Sequence, residues 1–212
     1  MAELRYTLLA EGRSDRALLP ILDWLLKLQL PDVAIQADFA DLSRLPHPPK
    51  ELSERIRTSV ELYPCDVLFV HRDADNQGWE QRQQEIRSAL AKLVGGAMPP
   101  TVCVIPIRMT ETWLFLSEAA IRQAASCPQG RDNLEIPPLG RLEAIADPKS
   151  LLETILKTAS GCTGRRLKTF RPRERIQRIA ELIEDFSPLR QLEAFQRLEA
   201  DIKDVCGTTP TI

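Results

Sequence analysis

The segment Asp66–Val70, DVLFV, constrains the fold more than any other stretch of this chain. It is short, continuous and rich in branched and aromatic residues, without the alternation of a strand that shows one face to water. A strand apolar on both faces needs cover on both, which is the situation of a parallel strand inside an α/β layer. The surrounding chain agrees. Tyr6–Ala10 (YTLLA) reads as another buried strand and Val33–Leu42 as an alternating one. Thr101–Ile107 reads as a fourth, with Pro106 arguing for an edge or a strand end. Helical patterns separate them. The first runs over Asp15–Gln29, with Ser14 as N-cap and Pro20 marking either a kink or the true start. Lys50–Leu62 reads as an exposed helix, and Trp79–Val94 as one stopped by Gly95-Gly96. Glu111–Ala125 follows, capped by Thr110. Alternation of this kind predicts right-handed crossovers and a Rossmann-like α/β fold, a mostly parallel sheet with helices on both faces.

Beyond Ala125 the pattern changes. Loops rich in Pro and Gly run to about Ala146, and Asp147-Pro148 marks an N-cap and first position for a helix to about Ala159. Ile176, Ile179, Ala180 and Ile183 form an apolar helical stripe, and Ser187-Pro188 opens a last helix to about Val205. We therefore expect an α/β domain over 1–125 and a helical C-terminal extension over 126–212. The length of 212 residues suits one domain of ordinary size with such an extension. With 43% hydrophobic and 27% charged residues, disorder over most of the chain is excluded. No apolar run approaches the ~18 residues of a membrane span. The start, MAELRYTLLAEGRSD, lacks the features of a signal peptide, so a cytoplasmic location is expected. Five scattered Cys without a CxxC pair give no disulfide framework and no structural zinc pattern.

The chemistry-bearing residues fall where the strands end. Glu11 follows the first strand, Asp73 and Asp75 the third, and Glu111 the fourth. Open parallel sheets bind ligands outside the carboxyl ends of their strands, so all four acids belong to one edge. Taken singly, each could be a turn, a solvated loop or a helix-dipole partner. Together they suit Mg2+ (or Mn2+), a hard cation that takes oxygen ligands and can activate water or clamp a phosphate. His71 reads as a structural strand-end histidine, with a phosphate contact as the sharper alternative, and His47 carries no assignment. The phosphate-loop and dinucleotide glycine strings are absent, which removes the main support for those readings.

Glu11-Gly12 after a first strand and Asp73-Ala74-Asp75 after a third resemble the TOPRIM signature of topoisomerases, primases and overcoming-lysogenization-defect nucleases. The fuller set EGRSD, HRDAD, IRMTETW, DPK and GRRLK is similar to an uncharacterised bacterial family of small stand-alone TOPRIM-like proteins. The resemblance implies that Glu11 is a metal-linked general acid/base and that Asp73 and Asp75 are the metal-linked acidic pair. Glu111 would be an accessory acid beside the fourth strand. It also implies nucleic acid as substrate, a phage-defence or DNA-processing role, and a partner ATPase. The glycine that accompanies the acids in active relatives has only Gly78 as a loose counterpart.

One further feature bears on a polyanionic partner. Between Gly164 and Arg178, seven basic residues oppose Glu174 alone, a net of +6, so the rest of the chain carries -8 under the overall charge of -2. Arg165, Arg166, Lys168 and Arg171 form a candidate phosphate-contacting strip, with Phe170 as one stacking surface. The plain alternative is a solvated helix face paired with surface acids. Three function classes follow: a metal-dependent nuclease, a non-catalytic binding subunit with a degenerate acidic site, and a phosphohydrolase of small substrates. A basic strip running into the acidic edge favours nucleic acid, and a closed pocket there favours a small substrate.

Overall fold

The computed structural model describes residues 2–93 and 98–208. The expected Gly95-Gly96 helix stop lies outside the described residues. Four strands, β1 (Glu3–Leu9), β2 (Ala34–Phe39), β3 (Val67–His71) and β4 (Thr101–Val104), form one sheet. Their order is β2-β1-β3-β4, and every neighbouring pair is parallel. All five residues of β3 are buried, as its unbroken apolar composition requires of a central strand.

The chain steps from β1 outward to β2, then crosses back over β1 to β3 and on to β4. Its helices change face at that reversal. Helix α1 (Leu19–Gln29) packs with Tyr6, Leu8, Val67, Phe69, Val102 and Val104. Helices α2 (Leu52–Leu62) and α3 (Trp79–Ala91) pack with Leu9, Leu68 and Val70 on the other face. Side chains alternate across a strand, so each β1 neighbour serves the opposite layer. Each fully buried Val, Leu or Phe contributes roughly 1.5–3 kcal/mol. Thr7, a buried polar residue of β1, is satisfied, since its hydroxyl donates to the Tyr63 carbonyl at 2.9 Å. Reversal of strand order between β1 and β3 opens a crevice at their carboxyl ends, the place where such sheets take ligands.

The C-terminal region closes the first face. Helix α4 (Glu118–Ala124) leads to α5 (Pro148–Ala159), α6 (Gly164–Thr169), α7 (Arg173–Leu182) and α8 (Glu193–Thr208). Helix α8 lies along β4 and α1, and α7 packs its Ile176, Ile179 and Ala180 stripe against residues 13–18 and α4. Trp113 and Phe195 meet edge to face at 5.5 Å. The apolar core therefore runs without a break across residue 125. Among the described residues no helix is long and apolar enough to cross a membrane.

Several boundaries differ from those the sequence suggests. Arg13–Leu18 is a 3-10 segment, and α1 begins only at Leu19, with Pro20 in its first turn. Proline has no N–H and clashes with the carbonyl four residues back, so an α-helix begins at it more easily than it passes through. Ser14 does not cap; the Gly12 amide instead donates to Asp15 Oδ2 at 2.8 Å. Strand β4 stops at Val104, two residues short of Pro106, on the sheet edge. Thr110 opens a 3-10 segment to Leu114 rather than an α-helix, and Ser117 caps α4 by accepting the Ala120 amide at 3.1 Å. Ser187-Pro188 likewise opens a 3-10 segment before α8. Asp147 caps α5 as expected, accepting the Ser150 amide at 2.9 Å.

Candidate functional site

The four acids read from the sequence all follow carboxyl ends of strands, yet they do not converge equally. Asp73 occupies the centre. Its Oδ1 accepts the Thr110 amide at 2.9 Å, which ties the segment after β3 to the segment after β4. Its carbonyl accepts Arg82 Nε at 2.9 Å. The same oxygen Oδ1 lies 3.4 Å from His71 Nε2, and Asp15 Oδ2 lies 3.7 Å from that ring nitrogen. Burial raises the affinity of Asp73 for a proton most; His71 opposes, and the charges of Asp15, Glu111 and Glu11 add. Its carboxyl is pushed up to about 7.

His71 is fully enclosed at the end of β3. Its Nδ1 stands 2.9 Å from the Val104 carbonyl, which can only accept, so Nδ1 carries a proton. Nε2 faces the Thr110 hydroxyl at 3.3 Å. The ring thus fastens β3 to β4 beneath the acids, the structural role expected of it. Burial keeps it from direct contact with a surface phosphate.

Glu11 and Glu111 approach from either side. Glu11 Oε1 lies 2.8 Å from Arg72 Nε, an electrostatic pair without hydrogen-bond alignment, because that buried Nε has no bonded partner. Arg72 also reaches Glu85 at 3.2 Å. Arg55 donates to the Ala10 carbonyl at 2.5 Å, and burial together with the neighbouring Arg72 charge lowers its hold on a proton. Glu111 is buried in the 3-10 segment, with Lys149 Nζ at 3.8 Å from Oε1. Burial raises its carboxyl, against the pull of its own backbone amide and Lys149.

Asp75 is turned to the flank. Its Oδ2 lies 3.6 Å from Arg82 Nη2, and it lines a separate cleft of about 380 Å3 with Arg108, Glu143 and Arg197. Asp75 (φ 47°) and Arg108 (φ 71°) both adopt the left-handed region, and the Asp75 amide donates to the Arg108 carbonyl at 3.0 Å. For arginine that backbone stores strain, held here by Nη1 donating to Asn76 Oδ1 at 2.6 Å.

Asp15 went unnoticed in the sequence, where it reads as the first residue of a helix. Folding buries it facing His71. The available signal was its position three residues after Gly12, the spacing of a reciprocal N-terminal cap. Arg55 and Arg82 carried no signal, because helix-face arginines are ordinarily solvated.

The carboxylates suit a hard cation in kind, being oxygen donors. They are not assembled as a cage. Among the described residues, no three His, Cys, Asp or Glu side chains stand where they could jointly hold a metal ion. Glu11 is engaged by Arg72, Glu111 by Lys149 and Asp75 by Arg82.

Arg165, Arg166, Lys168 and Arg171 are exposed on and just after α6, which buries none of its residues. Lys149, in the first turn of α5, reaches Glu111. Four residues along α5, Glu153 accepts Arg173 Nε at 2.7 Å. Such residues lie about 5–6 Å apart on one helix face, so Arg173 is paired one turn along α5 from the lysine that reaches Glu111. Comparison with protein-family models, with curated proteins and with solved structures finds no match to this chain.

Proposed function

We propose that this chain is a TOPRIM-like, Mg2+- or Mn2+-dependent phosphodiesterase acting on nucleic acid. One observation carries the reading: Asp73, half-buried at the switch-point crevice, is pushed up to about 7 by desolvation first and then by the charges of Asp15, Glu111 and Glu11. Perturbed carboxyls in a cleft mark sites of proton and metal chemistry. Glu11 and Asp73 are the residues that would hold the ion, with Glu111 adding negative charge behind them and Asp75 acting from the flank. The cation would supply charge for a phosphate and an acidic water.

The other steps belong to the chain itself. The Thr110 amide and the His71 ring fix the direction of Asp73 Oδ1. Arg72, held by Glu11 and Glu85, would offer its guanidinium group to non-bridging phosphate oxygens, while the buried Arg82 steadies Asp73 through its carbonyl. The exposed strip of Arg165, Arg166, Lys168 and Arg171 would hold the backbone of the nucleic acid. The phage-defence setting and a partner ATPase rest on the resemblance alone. A small phosphorylated substrate is the second reading, favoured by the open cleft of about 380 Å3 beside Glu11.

The test is cleavage of labelled single- and double-stranded DNA and RNA with Mg2+, Mn2+ or chelator. Asp73→Asn should abolish metal-dependent cleavage, and Glu11→Gln should reduce it at least about 100-fold, the scale of one general acid/base. Cleavage that persists in Asp73→Asn, or in excess chelator, would refute the proposal.

A further inference from the structure

A second cleft, of about 380 Å3, opens beside Glu11 between the end of β1 and residues 39–50. Its size is within the range of small-ligand pockets. Arg13, Lys50 and Arg55 line it, with Phe39, Pro48 and Pro49 supplying apolar wall. Its two acids are already engaged. Asp41 takes Arg13 and Arg44 at 3.0 Å each, and Glu11 takes Arg72 at 2.8 Å. Three cations thus face two carboxylates among the residues that line the concavity. Arg55 lines it while donating to the Ala10 carbonyl, with the like charge of Arg72 opposing its own and the charges of Glu11 and Asp15 favouring it.

The backbone adds to this excess. In a parallel sheet the helix after each strand starts at the carboxyl edge. Helix α2 follows Pro48, Pro49 and Lys50 directly, so its N-terminus opens at the cleft. No side chain caps it. Free amides at the start of an eleven-residue helix favour an anion.

From this arrangement we infer that the cleft is a phosphomonoester subsite, which seats the terminal phosphate of a ligand whose next linkage lies at Glu11. A phosphate dianion matches the surplus of guanidinium, ammonium and amide donors better than a diester does, because it presents a further charge and three terminal oxygens. The apolar wall suits one nucleoside. This inference names the substrate class of the proposed site, an end-phosphorylated nucleic acid or a free nucleotide, and rests on that reading only for the linkage at Glu11.

The experiment measures binding in chelator, so it does not depend on cleavage. The probes are a fluorescent oligothymidylate with a 5′-phosphate, the same strand with a 5′-hydroxyl, its 3′-phosphorylated counterpart, and AMP as competitor. The intact protein should bind one end-phosphorylated strand about tenfold or more tighter than the hydroxyl strand, the scale of one or two charge-assisted bonds. Arg13→Ala with Lys50→Ala, both at exposed positions, should erase that preference while the melting temperature holds. Lys50→Glu alone should reverse it. AMP that displaces the strand identifies nucleic-acid ends as ligand, whereas AMP that binds while every strand is refused identifies a free nucleotide. Equal affinity for all strands with no AMP binding, or a preference that survives in the folded double variant, overturns the subsite. Loss of the metal-dependent reaction in Asp73→Asn is read separately, so failure of one proposal is distinguishable from failure of the other.

Discussion

Asp73 Oδ1 and His71 Nε2 lie 3.4 Å apart, beside the Thr110 amide bond that helps tie the segment after β3 to the segment after β4. The other ring nitrogen donates to the Val104 carbonyl, and Asp15 lies 3.7 Å from Nε2. Burial and the charges of Asp15, Glu111 and Glu11 raise Asp73 against the opposing pull of His71. The crevice therefore prefers an extra positive charge, whether proton or cation, and four predictions test the consequences.

Stability should fall as pH rises toward neutrality. Asp73 has an ordinary carboxyl value of 3.8 when unfolded and about 7 when folded. The native state thus holds the proton more tightly, and unfolding free energy declines between those values and then levels. The loss over that whole interval is on the order of 4 kcal/mol, with more than half of it between pH 5 and pH 8. Denaturant titrations at pH 5 and pH 8 should show it in the wild type, and Asp73→Asn should remove most of it. An equal pH slope in both proteins would show that Asp73 is not the group responsible.

Divalent cations should stabilise the fold at pH 8. At 100 times the dissociation constant, binding contributes about 2.7 kcal/mol, or roughly 5–10 °C in Tm for a chain of this size. Glu11→Gln and Asp73→Asn should each lose most of the rise. A melting temperature indifferent to Mg2+ and Mn2+ would count against the cation.

The basic strip has its own signature. Each duplex phosphate contact contributes about 0.9 to the slope of log affinity against log salt. Arg165→Ala, Arg166→Ala and Lys168→Ala together should flatten that slope by up to about 2.7 units. If the side chains are only solvated, slope and affinity stay as they are.

The continuous core predicts a shared melting transition. Phe195→Ala removes the ring that Trp113 packs against and should cost about 3–5 kcal/mol. Sheet and helical region should then unfold together at the lower temperature. A variant whose sheet melts at the wild-type temperature, followed by amide exchange on β1 and β3, would contradict that coupling.

Sequence alone determined the elements whose signal is local. DVLFV is buried on both faces wherever it sits, so β3 was legible without knowing its neighbours. Asp147-Pro148 caps a helix through its own side chain and ring. The common placement of Glu11, Asp73 and Glu111 followed from chain direction in a parallel sheet. Boundaries at Leu19, Thr110 and Ser187 were less legible, since a 3-10 turn and the first turn of an α-helix have the same composition.

Tertiary structure alone decided what each acid meets. Asp75 is two residues from Asp73, yet Arg82 and the left-handed backbone at Asp75 and Arg108 turn it to a different cleft. Asp15 is an ordinary helix-start acid in sequence and a buried neighbour of His71 in space. Proton affinity depends on burial and on charges contributed by β1, β3 and β4 together, and no sequence window contains all three. Strand ends fix which edge a carboxylate reaches; packing between segments far apart in the chain fixes which charges it faces there.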